Sequence, residues 1–289
     1  MPLADPVHAE YELALPGGAR LHLGREARVM GILNVTPDSF SDGGLHAGAA
    51  AALAHARAMV AEGADLVDVG GESTRPGAAE IGVQDELDRV VPVLEAIADA
   101  GLGVPVSIDT YKALVADQAV QSGAALINDV YGLQRDPEIA AVAALYDVPV
   151  IAMHWDKARD TARPLLDEMR RYFDRTLAIA EAAGLPRQRL VLDPGFGFGK
   201  SLEENYHLLR HLPELCAWGF PVLVGTSRKS MIGRVLGNQP EERGPGTVAT
   251  SVLGYLGGGH VFRVHDVRAN RDALRVAAAT LYGPVANEG

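Results

Sequence analysis

Leu66-Val67-Asp68-Val69-Gly70-Gly71-Glu72 is a short apolar run that ends in glycine and acidic residues. The same arrangement recurs along the chain, where nearly every apolar run ends in polar or glycine-rich residues. Such runs start roughly 20 to 40 residues apart, which is the spacing expected of repeated βα units. The predicted strands are residues 29–35, 66–69, 104–108, 126–130, 148–153, 190–192, 222–224 and 261–264.

Amphipathic stretches between these runs predict helices. Apolar residues recur at intervals of three, four and seven in residues 87–97 and again in residues 166–180. The segment Ser201-Leu202-Glu203-Glu204 has capping-box spacing, which predicts a helix that starts just after Lys200. Helix ends are predicted at Gly101, Gly123 and Gly184.

Alternating strands and helices are compatible with a (β/α)8 barrel and with a doubly wound sheet, and periodicity alone does not separate the two. All strand carboxyl ends of a barrel meet on one face, whereas an open sheet would scatter several of them. The polar residues at the strand ends therefore favour a single (β/α)8 TIM barrel, over residues 28–283. An extension, residues 1–27, precedes it, with a short β-hairpin predicted around Pro16-Gly17-Gly18.

The composition excludes several classes of protein. Hydrophobic residues make up 48% of the 289 residues and charged residues 22%, a balance that excludes wholesale disorder. The net charge of −11 argues against a general nucleic-acid or membrane-surface binder. Residues 1–12 lack the basic and apolar regions of a signal peptide. With a single cysteine, Cys216, no internal disulfide is possible, and we expect a cytoplasmic protein.

Six polar side chains at the strand ends form the candidate site. Carboxylates and amides accept hydrogen bonds from ring N–H and amino groups, and lysine donates to ring nitrogen and carbonyl groups. Arginine and histidine can hold phosphate oxygens. An acceptor-rich wall facing a donor-rich wall therefore suits a flat heterocycle with an anionic tail, although salt bridges closing the barrel mouth are the alternative. The acceptors are Asp109, Asn128 and Asp193, and the donors are Lys229, Arg263 and His265.

Three glycine-rich loops adjoin these residues. Residues 34–44 follow the first barrel strand, and their length and composition predict a mobile lid. Residues 70–77 follow the second strand. Residues 193–200 lead into a helix N-terminus, where backbone N–H groups could bind an anion, but a close-packed turn is an equal alternative.

These segments together resemble the dihydropteroate synthase family, folate-pathway enzymes among the pterin-binding TIM barrels. The resemblance runs from about residue 29 to the C-terminal helix. Each segment alone is moderately specific, but all of them in this order are very improbable by chance. The segments are residues 34–44, 70–77, 107–110, 128–130, 193–200, 225–230 and 263–267.

The resemblance implies roles for the residues that bind the pterin and its diphosphate. Met153 would pack on the pterin, Arg263 would lie against its face, and Arg263 and His265 would reach the diphosphate. Asn34 would be a ligand of Mg²⁺. The pterin edge would be gripped by Asp109, Asn128, Asp193 and Lys229, and the implied catalytic residues are Asp109, Lys229, Arg263 and His265.

The resemblance also implies residues for the second substrate, p-aminobenzoate. Thr74 would contact substrate from the second loop, and Ser227 would lie near the carboxylate. The apolar clamp on the ring would consist of Phe40, Pro76 and Phe198. The implied reaction joins (7,8-dihydropterin-6-yl)methyl diphosphate to p-aminobenzoate, giving 7,8-dihydropteroate and diphosphate. The family also implies inhibition by sulfonamides and a homodimer formed through helices late in the barrel.

One segment departs from the family pattern. After Met153-His154 the chain reads Trp155-Asp156-Lys157-Ala158-Arg159, where the family often has methionine, then arginine or glutamine, then glycine. We expect His154 to be structural. Asp38, Asp42 and Glu72 could be extra metal groups or turn caps. Two alternative functions stay open, a catalytically silent pterin-binding paralogue and a corrinoid-linked pterin methyltransferase.

Overall fold

Ten strands and ten α-helices make up the part of the chain that a computed structural model describes: residues 8–36, 44–73 and 78–284, with only the backbone for residues 44–47. The strands are β1 (Tyr11–Ala14), β2 (Arg20–Leu23), β3 (Arg28–Asn34), β4 (Leu66–Gly70), β5 (Val106–Asp109), β6 (Leu126–Asp129), β7 (Val150–Met153), β8 (Leu190–Asp193), β9 (Leu223–Val224) and β10 (Val261–Val264). The helices are α1 (Gly44–Glu62), α2 (Val83–Ala100), α3 (Ala113–Gln121), α4 (Glu138–Tyr146), α5 (Leu165–Ala182), α6 (Leu202–Arg210), α7 (Leu212–Cys216), α8 (Ser230–Leu236), α9 (Gly244–Leu256) and α10 (Val267–Tyr282).

The eight strands β3 to β10 are parallel and close into a barrel. They pair in the order β8-β7-β6-β5-β4-β3-β10-β9. A parallel bridge between Leu192 in β8 and Val222, just before β9, joins the two ends of this sheet. Each barrel strand is followed by at least one helix. The predicted (β/α)8 TIM barrel is therefore confirmed, and the doubly wound alternative is excluded.

Two barrel strands start two residues later than the sequence predicts. The runs that begin at Val104 and Val148 become strands only from Val106 and Val150. Pro105 and Pro149 immediately precede these strands, and their carbonyls accept ladder hydrogen bonds from neighbouring strands. Because proline has no N–H, it cannot donate in return, and regular pairing begins one residue later.

Cap geometry confirms two of the predicted helix boundaries, the start of α6 and the end of α2. Ser201 caps α6, since its Oγ accepts from Glu204 N at 3.1 Å while the Glu204 carboxylate accepts from Ser201 N at 2.7 Å. Gly101 ends α2 in the left-handed conformation with φ 59°, which residues with a Cβ adopt at a cost.

The β1–β2 hairpin closes the amino-terminal end of the barrel. Its leucines pack in one buried cluster with the first inward side chain of most barrel strands. This apolar floor leaves the opposite end, where the strands finish, as the open mouth. The hairpin contributes Leu13, Leu15, Leu21 and Leu23, and the strands contribute Met30, Leu66, Leu126, Ile151, Val191, Leu223 and Val261.

Cys216 ends α7 and is half-buried, and burial raises the pKa of its thiol to about 12. The thiol is therefore protonated and unreactive near neutral pH. Among the described residues, no helix combines the length and apolar character that crossing a bilayer requires.

Candidate active site

Strand register places the predicted acceptors at one level of the barrel mouth. Asp109, the last residue of β5, pairs in register with Gly70 in β4 and Asn128 in β6. Asp193 ends β8 in register with Met153. A Cβ on Gly70 would lie 3.5 Å from Asp109 Cβ and 3.7 Å from Asn34 Oδ1. Because glycine has no side chain, the space between Asp109 and Asn34 stays open.

Arg263 in β10 joins this group through two carboxylates. Its Nε donates to Asp68 Oδ2 at 2.6 Å, and its Nη2 donates to Asp109 Oδ2 at 2.6 Å. Asn128 Nδ2 also donates to Asp68 Oδ2, at 3.0 Å. The side chain of Asp68 is 0% exposed. The guanidinium is therefore fixed at two of its nitrogens before any ligand enters.

Asp68, in the apolar run that starts at Leu66, is a site residue that no sequence motif assigned. Strand alternation could have found it, since it lies two residues before the inward-facing Gly70 on β4 and must face the same way. Its position one layer below Asp109 lets it hold Arg263 and Asn128 from beneath. Because its carboxylate takes the amide N–H of Asn128, the Asn128 Oδ1 is left as an acceptor facing the mouth, with no donor among the described groups.

Burial raises the pKa of Asp109 to about 7, while Arg263 opposes this shift and Asp68 adds to it. One guanidinium serves two carboxylates here, so the second negative charge is only partly compensated. Asp109 Oδ1 and Asp68 Oδ1 are buried and have no hydrogen-bond donor in the part of the chain that the structure describes. An unpaired buried acceptor favours a ligand that brings an N–H group.

Asp193 and Lys229 form the opposite side of the pocket. Asp193 Oδ1 accepts from Gly195 N at 2.7 Å, and Lys229 Nζ donates to the carbonyl of Phe196. A Cβ on Gly225 would lie 3.7 Å from Asp193 Oδ2 and 3.9 Å from Lys229 Nζ, so the two charged groups lie close together. Burial lowers the pKa of Lys229 to about 8, and the charge of Asp193 opposes that shift.

Ser227, Arg228 and His265 lie together at the ends of β9 and β10. Ser227 Oγ lies 2.9 Å from His265 Nδ1 and accepts from His265 N at 3.1 Å. Arg228 between Ser227 and Lys229 has φ 56°, a strained value for a residue with a side chain. Its backbone N–H donates to Thr247 Oγ1 at 3.0 Å and its Nη2 to Asp266 at 2.7 Å. These contacts stabilise the turn that aims Ser227 and Lys229.

The third glycine-rich loop, residues 193–200, is a close-packed turn. Gly195 N donates to Asp193, and Gly197 N donates to Asn205 Oδ1 at 2.6 Å, so these N–H groups are already paired. Lys200 Nζ donates to the carbonyls of Gly195 at 2.9 Å and Phe198 at 3.1 Å. The alternative of an anion site on this loop is therefore not supported by its hydrogen bonding.

Several predicted residues lie elsewhere. Phe40, Thr74 and Pro76 fall outside the described residues, as do Asp38 and Asp42. His154 is buried outside the pocket, with Nδ1 3.0 Å from Lys200 Nζ and its ring 4.8 Å from that of Tyr172. Glu72 accepts from Tyr111 Oη at 2.8 Å and pairs with Lys112, so it anchors the start of the second loop.

Asn34 is the predicted magnesium ligand. Its amide oxygen fits a site at which the protein, the substrate phosphates and waters together coordinate the ion. No group of three or more histidine, cysteine, aspartate or glutamate side chains suited to a metal occurs in residues 8–36, 48–73 and 78–284. Mg²⁺ prefers oxygen ligands and often keeps waters while it binds substrate phosphates, so it needs few protein ligands. The amide oxygen of Asn34, near Gly70 at the mouth, suits that role.

The assembled pocket carries three carboxylates, of Asp68, Asp109 and Asp193, against two cations, Lys229 and Arg263. When all five are ionised, one negative charge is in excess. Such a pocket stabilises a flat ring that donates several hydrogen bonds and that gains positive charge during reaction.

The comparisons with known proteins agree with this geometry. A sequence profile of the family described as pterin binding enzyme matches residues 30–265. The dihydropteroate synthase of Bacillus subtilis is 48% identical over 240 residues, which cover 83% of this chain and 84% of that protein. The Xanthomonas albilineans dihydropteroate synthase with 4-aminobenzoic acid has a TM-score of 0.89 at 45% identity and covers 96% of this chain and 100% of that chain. The Yersinia pestis enzyme in a sulfonamide drug complex has a TM-score of 0.85 at 46% identity, covering 93% and 98%.

Proposed function

Since this chain belongs to the pterin-binding enzyme family, we propose that it carries out the reaction of its dihydropteroate synthase relatives. It is a transferase that joins (7,8-dihydropterin-6-yl)methyl diphosphate to p-aminobenzoate, releasing diphosphate. The observation that carries this conclusion is the single pocket in which Arg263 is held between Asp68 and Asp109 while Asp193 and Lys229 face them.

The pterin edge is matched by the unpaired polar atoms of the pocket. Asp109 Oδ1 and Asn128 Oδ1 accept from ring N–H and amino groups, and Asp193 accepts on the other side. Lys229 donates to a ring nitrogen or carbonyl. Met153, buried beneath the mouth, packs against the ring face.

The chemical step separates charge along the pocket. The bond between the methylene carbon and diphosphate oxygen breaks, and its electron pair leaves with diphosphate, whose growing charge Arg263 and His265 stabilise. The methylene cation is conjugated with the dihydropterin ring, and the Asp109 carboxylate stabilises it. The arylamine nitrogen then forms the new C–N bond with its lone pair and gives up a proton. This displacement is SN1-like, and the arylamine, a weak base, needs no general base before the bond forms.

Magnesium is part of this proposal. Asn34 would offer its amide oxygen, and the diphosphate oxygens and waters would complete the coordination. Bound there, the ion would neutralise charge on the leaving group.

The p-aminobenzoate site is assigned to residues that border the mouth. Ser227 lies near the carboxylate, and Phe198 lines the ring, with Lys229 Nζ 4.6 Å from the Phe198 ring centre. Phe40, Pro76 and Thr74 keep their proposed roles as further substrate contacts. Sulfonamides, which resemble p-aminobenzoate, compete for this site, in line with the Yersinia pestis relative.

A homodimer and a cytoplasmic location complete the proposal. Apolar side chains are exposed on the late helices, Leu253 by 53% on α9 and Val276 by 68% on α10. These helices pack side by side, so their outer faces form one surface that a second copy would cover. A single free cysteine is in keeping with a reducing compartment. Light scattering on the purified chain tests the dimer.

Diphosphate release with both substrates and Mg²⁺ tests the function, with p-aminobenzoate omitted as the control. Release that depends on p-aminobenzoate supports the proposal. A chain that binds pterin without release is a silent paralogue, and transfer of a methyl group from a pterin to a corrinoid identifies the methyltransferase.

A further inference from the structure

Trp155, the first residue of the segment 155–159 that departs from the family pattern, completes a row of four aromatic rings along the mouth. Trp155 stacks on Tyr131, with ring centres 4.6 Å apart and planes at 17°. On its other side Trp155 lies 5.0 Å from Phe198, at 60°. Tyr131 meets Tyr111 edge to face at 5.2 Å. The four rings come from the loops that follow β5, β6, β7 and β8, so they connect four neighbouring parts of the rim.

The Trp155 loop is held to its neighbours at several points. Arg159 Nη2 lies 2.7 Å from both carboxylate oxygens of Glu204 on α6 and 3.3 Å from the carbonyl of Gly199. Asp156 accepts from Arg175 on α5 at 3.0 Å. The loop that carries Trp155 is therefore fixed to both α5 and α6, which restricts the movement of the indole.

The backbone of Phe198 is held within its turn, where Phe198 N donates to the Gly195 carbonyl at 3.1 Å, but its side chain lies outside the main core. Gly197 and Gly199 flank it with φ values of 80° and 60°, and glycine restricts the backbone less than any other residue. Its side chain packs in the small cluster that contains Trp155 and Met153, rather than in the main core. The indole at 5.0 Å and Lys229 Nζ at 4.6 Å from the ring centre therefore hold the Phe198 ring, and the indole supplies the larger apolar surface.

We propose that Trp155 is a positioning residue that holds the Phe198 ring at the rim of the pocket and thereby sets the affinity for the arylamine. This inference rests on the proposed function, in which Phe198 lines the p-aminobenzoate ring. Asp109, Asn128 and Asp193, which hold the pterin edge, hydrogen-bond to groups other than Trp155, and of the proposed pterin contacts only Met153 shares its cluster. We therefore expect the larger effect on the arylamine half of the ligand.

Comparing two ligands that differ by the arylamine tests the proposal without turnover. Calorimetry would measure binding of pteroate and of 6-hydroxymethylpterin to wild type, Trp155→Ala and Trp155→Phe. We expect Trp155→Ala to weaken pteroate binding about five- to tenfold, the size of a lost aromatic pair. Binding of 6-hydroxymethylpterin stays within about twofold, and Trp155→Phe restores most of the pteroate affinity because it keeps a ring at the position.

Two controls sharpen the comparison. Trp218→Ala removes the other tryptophan, which packs against Phe173 and is not part of the aromatic row, and leaves both affinities unchanged. In a Phe198→Ala background, adding Trp155→Ala causes little further loss, because the two act as one unit.

Equal loss of both ligands in Trp155→Ala, or no loss of either, would overturn the proposal. So would full additivity of the Trp155 and Phe198 substitutions. A wild-type chain that releases no diphosphate contradicts the proposed function instead, and the binding comparison still decides the role of Trp155.

Discussion

Arg263 Nε lies 2.6 Å from Asp68 Oδ2, at the centre of the barrel and beneath the layer that faces the ligand. The contact fixes the guanidinium from below. Nε and Nη2 are used by Asp68 and Asp109, whereas Nη1 makes no hydrogen bond to the part of the chain that the structure describes. A donor held in advance in this way loses no further freedom when charge develops on the leaving group.

Asp68→Asn is expected to lower both stability and activity. The substitution keeps the shape but removes a charge from a buried ion pair, and we expect the free energy of unfolding to fall by about 1.5–3 kcal/mol. The kcat falls as well, because Arg263 is no longer oriented. Urea unfolding and steady-state kinetics measure the two effects.

Ser107→Ala is the matched control, since Ser107 pairs in register with Asp68 and is also buried in the barrel. It should leave kcat unchanged. If Asp68→Asn binds and turns over substrate like wild type, Asp68 does not orient Arg263.

The pH dependence of kcat/KM for the pterin substrate should be bell-shaped. Asp109 acts as a carboxylate, and burial raises its pKa to about 7, so activity falls as the pH drops below that value. Lys229 acts as an ammonium donor, and burial lowers its pKa to about 8, so activity falls again above it. The negative charge of Asp68 raises the pKa of Asp109. Asp68→Asn removes that charge and should therefore shift the acidic limb of the kcat/KM profile to lower pH. An acidic limb that stays in place would contradict this coupling.

Asn34→Ala should weaken binding of the diphosphate ligand only when magnesium is present. The amide oxygen is the proposed ligand of the ion, and a pterin without diphosphate does not bind through magnesium. Calorimetry with and without Mg²⁺ measures the difference. The assignment of Asn34 is wrong if the variant keeps the magnesium dependence of wild type.

The SN1-like step predicts an α-secondary deuterium isotope effect above unity at the reacting methylene. The carbon changes from tetrahedral to planar before the amine bonds to it, which favours the lighter isotope. Competition between labelled and unlabelled pterin diphosphate measures the ratio. A value near unity would indicate that the amine attacks as the diphosphate leaves.

Much of the fold is predictable because apolar runs and helix caps are local signals. The recurring apolar runs predicted every barrel strand, and the capping box at Ser201 predicted the start of α6. The acceptor and donor side chains at the strand ends converge because a parallel barrel brings all these ends together. Asp68 was within reach of the same alternation argument but lies one layer deeper, where a buried carboxylate is unexpected without its partner.

Other features depend on contacts that no local pattern encodes. The positive φ of Arg228 is set by Thr247 and Asp266, which are distant in sequence. The position of Trp155 depends on rings from neighbouring loops, so the sequence shows that this segment departs from the family but not which contacts result.

Incorporation of ring-labelled p-aminobenzoate, followed by mass spectrometry, tests the central claim most directly. We predict labelled 7,8-dihydropteroate in amounts equal to the diphosphate released, and neither product from Lys229→Met, which leaves Asp193 buried without its cation. Diphosphate released without labelled product, or an active Lys229→Met variant, would contradict the account.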